Sequence, residues 1–124
     1  MKKFQIRVNQ YTFEAELYET PTANEIWENL PLTGNCNIWG EEIYFSIPLS
    51  LPQEDGAHTI VEPGELGFWP VGSAFCIFFG PTPVSTGPKP QAYSPVNIFG
   101  KIMDDLSALK KVRQGEKIEI IKIS

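Results

Sequence analysis

The sequence predicts a mainly β fold: a closed β-barrel with two short helices capping it. Three observations carry the prediction. Short segments alternate apolar and polar residues in steps of two, turn residues punctuate them, and only two stretches carry helical signals, one near each end of the chain. Closure removes exposed sheet edges, and two helices suffice to plug the ends. Pattern alone leaves a two-sheet sandwich open beside the barrel.

Taken in order, Phe4, Ile6 and Val8 alternate with Gln5, Arg7 and Asn9, and Phe13, Ala15 and Leu17 alternate with Thr12, Glu14 and Glu16. Both segments have the period of a half-buried strand, and Asn9-Gln10-Tyr11 reads as the hairpin turn between them. In ETPTANEIWENLP, Thr22 followed by Glu25 has capping-box spacing and Pro31 closes the segment. This predicts a helix over 23–30 with Ile26, Trp27 and Leu30 inward, Trp27 as its core anchor. After a Gly34-Asn35 turn, NCNIWGEEIYFSIP is strand-like and LPQEDGAH is loop. HTIVEPGELGFWP gives two short strands around Pro63-Gly64, and SAFCIFF is a central strand. GPTPVSTGPKPQAYSP, with five prolines and two glycines, is expected to be loop. VNIFGKI is a strand. DDLSALKKV is a second helix, with Asp104 and Asp105 at its positive end, Lys110, Lys111 and Arg113 at its negative end, and Leu106, Leu109 and Val112 as its apolar stripe. KIEIIKI closes the chain as a strand, where Ile120-Ile121 interrupts the alternation as a bulge does.

A chain of 124 residues is one ordinary domain, here 1–124, with neither repeat nor linker. Hydrophobic residues at 42% and charged residues at 20% mark it as globular. No apolar run is long enough to cross a bilayer, and the alternating start MKKFQIRV lacks the unbroken apolar segment of an export signal. A cytoplasmic setting is therefore expected, with Cys36 and Cys76 as free thiols.

The net charge of −5 is unevenly spread. No Lys or Arg occurs between Arg7 and Lys89, a stretch that holds eleven acidic residues. Nucleic-acid binding needs cations along a phosphate path, so it is not expected. There is no glycine-rich phosphate loop, and one histidine with two distant cysteines has no ligand spacing, so neither cofactor nor metal is expected.

The run GELGFWPVGSAFCIFFGPTP, followed by VNIFGKIMDDLSALKKV and KIEIIKI, resembles the cyclophilins in order: a GxL strand, a GSxFxI strand, a TP turn, an FGK strand, a helix and an Ile-rich last strand. NIWGEEIYFSIP and GFWPVGSAFCIFFGPTP are similar to the small prokaryotic cyclophilin-like proteins of unassigned function. The resemblance covers essentially the whole chain and implies the barrel. It does not by itself imply an activity.

Cyclophilins are prolyl isomerases whose arginine, in an FHR motif, favours the twisted amide. The matching place here, NIWGEEIYF, offers Gly40, Glu41 and Glu42 and no base. The other arginines, Arg7 and Arg113, lie elsewhere in the pattern. Ala74 stands where the family has the glutamine of GSQFF, Cys76 where it has the second aromatic, and Val84 where it has a tryptophan. The resemblance thus implies the frame without efficient isomerisation.

In place of those residues the chain has Trp39, Tyr44 and Trp69. If NIWGEEIYF and GFWPVG border one groove, these rings with Glu42, Ala74 and Cys76 form an aromatic-walled cleft for a cationic or amide-bearing small molecule, or a proline-containing peptide. Either tryptophan alone reads most simply as core or rim packing. Glu42 shares parity with Gly40 and Tyr44 and is assigned inward, Glu41 outward. Cys76 reads as a small hydrophobe rather than a nucleophile, since His58 is the only histidine to serve it. Residues 80–95 read as a rigid connection, with a lid or a partner-binding edge as alternatives. The leading expectation is a binding module. Against it stand a weak isomerase or another enzyme using Glu42, and an interaction protein using its acidic face.

Overall fold

The computed structural model describes residues 2–123. It holds ten strands: β1 (Lys3–Val8), β2 (Tyr11–Leu17), β3 (Leu32–Asn35), β4 (Asn37–Ile38), β5 (Glu42–Ser46), β6 (His58–Ile60), β7 (Glu65–Trp69), β8 (Ala74–Phe78), β9 (Gln91–Ile102) and β10 (Lys117–Lys122). One α-helix, α1 (Pro21–Glu28), follows β2.

The strands pair antiparallel in the order β3-β10-β1-β2-β9-β7-β8-β5-β4, and β6 adds to β9. The mainly β expectation holds, but the sheet is not closed into a barrel. Its two ends, β3 and β4, are consecutive in sequence, with only Cys36 between them. Cys36 donates its N–H to Glu116 O and accepts from Gly115 N, each at 2.8 Å. The chain therefore runs along the strand direction from one edge to the other, and no ladder joins the edges.

The second expected helix is also corrected. Ser107–Lys111 is a single 3-10 segment. Leu106, Leu109 and Val112 recur every third residue, which is the 3-10 period and places all three along one line. They do pack inward, with Leu109 fully buried. In α1 the cap is Thr20, not Thr22: the Thr20 hydroxyl accepts from Ala23 N at 3.0 Å, and Pro21 takes the first turn, where its missing N–H costs nothing. Ile26 is buried, and Trp27 and Leu30 pack against the main core half-buried, Trp27 with the Lys2 and Lys122 ammonium groups 5.5 and 4.8 Å from its ring centre. No bulge interrupts β10. Its register against β1 runs unbroken from Ile118 to Lys122, and Ile121 is simply half-buried on the outer face.

The main core gathers Phe4, Ile6, Phe13, Phe45, Phe75 and Phe99 with their aliphatic neighbours. A second, smaller cluster of Val61, Ala74, Cys76, Phe78, Ala92 and Val96 lies on the other side of β8. All five residues of β8 are therefore buried, which is why SAFCIFF reads as an unbroken apolar run. Alternation splits the strand: Phe75 and Ile77 enter the main core, and Ala74, Cys76 and Phe78 enter the second cluster.

Candidate ligand-binding site

The second cluster opens into a cleft of about 420 Å³. Its floor is β8, and its walls come from the strands on either side. β5 pairs with β8 so that Tyr44 lies opposite Cys76 and Glu42 opposite Phe78. β7 pairs with β8 so that Trp69 lies opposite Ala74. Trp39 joins Glu42 through a two-residue turn, Gly40-Glu41, in which Gly40 has φ +60°. A positive φ at the first turn position is what a type II′ hairpin demands. There is no room for a side chain either, since a Cβ on Gly40 would stand 2.8 Å from Thr82 Cα and Pro83 Cδ.

Trp39, Glu42, Tyr44, Trp69 and Cys76 all line the cleft. Ala74 does not. It is buried beneath Trp69 in the same cluster and supports the floor without reaching the open volume. Glu42 is inward as parity predicts, only 6% exposed. Glu41 leaves on the other side, where Lys110 lies 3.7 Å from its carboxylate.

The Trp69 indole lies across Gly72, where a Cβ would run into the ring, and donates its N–H to Ser94 Oγ at 2.6 Å. Tyr93 stands between the two indoles, edge-to-face with Trp39 at 6.3 Å and with Trp69 at 6.2 Å. It is 73% exposed, so its ring forms the mouth of the cleft.

Sequence reasoning missed Pro83, Val84, Ala92, Tyr93 and Val96, which complete the lining. Residues 91–95 belong to β9 and not to a loop. Their signal was the Ala92/Ser94 alternation around Tyr93, masked by Pro90 and Pro95. Pro95 is tolerated because it falls in the irregular stretch where His58 and Ile60 of β6 face Val96 and Gln91. The segment before β9 is pinned from within. Thr82 Oγ1 donates to Gln91 O at 2.5 Å, Thr82 N to Ser85 Oγ at 2.9 Å, and Ser85 Oγ to Lys89 O at 2.9 Å.

The cleft is electrostatically lopsided. Burial pushes the Glu42 carboxyl up to about 7, a rise the Cys76 thiol partly offsets. Its Oε1 has no hydrogen-bond partner among the described residues. Burial, and then the charge of Glu42, raise the Cys76 thiol well above its ordinary value. Cys76 Sγ leans on Ala74 O at 3.8 Å, and His58 is exposed with Nδ1 on Gly56 O. The pair a cysteine nucleophile needs is not assembled. No group of three or more potential metal ligands occurs among the described residues, and no helix is long and apolar enough to cross a membrane.

An antiparallel sheet with one α-helix and an aromatic cleft beside its second apolar cluster defines a small β protein with a built concave site. The chain belongs to the Cyclophilin-like family, whose model matches residues 2–121. Among solved structures it is similar to a hypothetical protein of Archaeoglobus fulgidus, AF2241, at 32% identity and a TM-score of 0.82, covering 98% of this chain and 95% of that one. It also shares its fold with McbB, solved in complex with tryptophan, at 17% identity and a TM-score of 0.70. That match covers 95% of this chain and 44% of McbB. No curated protein matches the chain.

Proposed function

We propose that this protein is a binding module that holds a small organic molecule or a short proline-containing peptide between Trp39 and Trp69, and that it does not isomerise prolyl bonds efficiently. The observation that carries this reading is the convergence of Trp39, Tyr44, Trp69 and Tyr93 on one volume of about 420 Å³ whose lining contains no Lys, Arg or His. Pockets of a few hundred Å³, mostly apolar with few convergent polar groups, suit small ligands. A prolyl isomerase must stabilise a twisted amide with a donor at the prolyl nitrogen, against a barrier of about 18–20 kcal/mol. The Trp69 N–H is already committed to Ser94, and no cation replaces the family's arginine. A cytoplasmic setting belongs to the same reading and is supported by the two buried free thiols.

The test has two arms. In the first, the protein is titrated into an Xaa-Pro isomerisation assay, and the rate is expected to stay at its uncatalysed value. Catalysis that scales with protein and disappears in Trp69→Ala overturns the reading. In the second, a fragment library that includes prolyl peptides is scanned by the indole N–H resonances. Trp39 and Trp69 are expected to shift while Trp27, outside the cleft, stays still. A library that moves neither cleft indole also overturns the reading.

A further inference from the structure

We infer that the cleft takes an organic cation, a protonated amine that donates an N–H to Glu42 Oε1 while its carbon skeleton lies against Trp39, Trp69 and Tyr93. This rests on the binding-module reading and names the chemistry of its ligand. Glu42 is more than nine-tenths buried, at 6% exposure, and Oε1 is left without a donor among the described residues. A buried polar atom without a partner is costly, and more so when it carries charge. An oxygen kept in that state at the wall of an open cleft is one whose donor arrives with the ligand.

The donor is positively charged because nothing else at the site supplies positive charge. The polar and aromatic groups that line the cleft with Glu42 are Trp39 and Tyr44 from its own hairpin, Trp69 from β7, Cys76 from β8 and Tyr93 from β9, and the rest of the lining is apolar. Of these only the phenols and the thiol titrate, and each titrates to a negative form. His58, opposite Val96 in register, is turned to Gly56 and is exposed. Lys110 is taken by Glu41 on the far side of the turn. An ammonium group therefore meets a carboxylate with no competing cation, and ring faces that attract cations flank it, tryptophan most strongly. The same stretch of sequence, between Arg7 and Lys89, carries eleven acids and no base, so the long-range field favours a cation too.

The competing ligand is a neutral amide or alcohol bound to protonated Glu42, and the two differ in sign with pH. An ammonium ligand binds the ionised carboxylate, so its affinity rises as pH rises through about 7. A neutral acceptor binds the protonated acid, so its affinity falls over the same window.

The experiment uses phenethylammonium and 2-phenylethanol, which share one skeleton, and follows the Trp39 and Trp69 indole resonances of the full chain. Phenethylammonium is expected to bind about tenfold or more tightly than the alcohol, as a charge-assisted hydrogen bond implies, and more tightly above pH 7 than below. Glu42→Gln is expected to remove that preference and the pH dependence while the Trp27 resonance stays in place, which reports an intact fold. Equal binding of both compounds, or tighter binding of the alcohol, overturns the cation and leaves the binding module standing. Silence from both compounds also overturns it, and the fragment scan then decides separately whether the cleft binds anything.

Discussion

Trp39 and Glu42 exchange both backbone hydrogen bonds across the Gly40-Glu41 turn, Trp39 N to Glu42 O at 2.9 Å and Glu42 N to Trp39 O at 3.1 Å. A directly opposed pair sends both side chains to one face. The indole and the buried carboxyl therefore sit side by side because of turn geometry, and Gly40 sets that geometry. Gly40→Ala must place a Cβ at φ +60° and within 2.8 Å of Thr82 and Pro83. The left-handed backbone alone costs about 1–2 kcal/mol, and the contact adds to it. We expect a lower denaturant midpoint and a changed Trp39 indole resonance. An unchanged midpoint would show that the turn relaxes freely and does not hold the cleft.

The Glu42 carboxyl makes stability fall with pH. The folded chain holds this proton up to about 7 and the unfolded chain only to the ordinary 4.5. Between those values the folded state binds more protons, so stability declines as pH rises through the window and is flat on either side. The decline is of order 3 kcal/mol in full. It is read as the difference between wild type and Glu42→Gln in denaturation curves at several pH values. The glutamine variant is expected to be the more stable one above pH 7, and a difference that stays constant with pH would show that Glu42 ionises normally.

Much of this architecture was legible in the residues. β1, β2 and β8 followed from alternation and from an unbroken apolar run, because those patterns are set by which faces a strand buries. Glu42 was placed inward by parity with Tyr44 for the same reason. Closure was not legible. Whether β3 and β4 meet depends on where Cys36 sends its backbone hydrogen bonds, and no local pattern encodes the answer. Tyr93 was missed because Pro90 and Pro95 advertise a loop, and only the irregular pairing with β6 makes a strand possible there. The helix cap was misplaced by two residues because Thr20 and Thr22 both present hydroxyls. Tertiary structure claims Thr22 for another use.

That use is a buried polar junction. Asn97, 1% exposed, donates to Thr22 Oγ1 at 3.0 Å and to Pro52 O at 2.9 Å, and accepts from Glu54 N at 2.8 Å. The Thr22 hydroxyl donates in turn to the Glu54 carboxylate. One side chain thus fastens α1 and the 47–57 connection to β9. Asn97→Ala removes the donor to the buried Thr22 hydroxyl and the ties to the Pro52 carbonyl and the Glu54 N–H, which water can reach, so a loss of about 1–3 kcal/mol is expected for the one polar contact left buried. Amide exchange is expected to speed up through 50–57 before it does so in β8. Uniform acceleration across the chain would mean that the junction supports the whole fold and not this segment.

The thiols should be inert in the native state. Burial, with the charge of Glu116 nearby, raises Cys36 from the ordinary 9.0 to about 11, and Cys76 is also raised by burial and by Glu42. The thiolate is the reactive form, and a rise of that size lowers its population about a hundredfold for Cys36. A disulfide-exchange reagent at neutral pH is expected to label neither cysteine until denaturant is added. Rapid labelling of Cys76 alone would revive it as a reactive group in the cleft.

Tyr93 separates the two readings of the aromatic cluster. If the rings were there for packing, an aromatic in contact with two tryptophans would be buried, and removing it would cost several kcal/mol. It is 73% exposed, so Tyr93→Ala is expected to change stability by no more than about 0.5 kcal/mol. The edge-to-face contacts at 6.3 and 6.2 Å are lost together, so the Trp39 and Trp69 indole resonances shift while Trp27 does not. Affinity for whatever ligand the cleft holds is expected to drop several-fold, since one wall is gone. A large loss of stability with little loss of binding would make Tyr93 a structural brace and move the mouth of the cleft elsewhere.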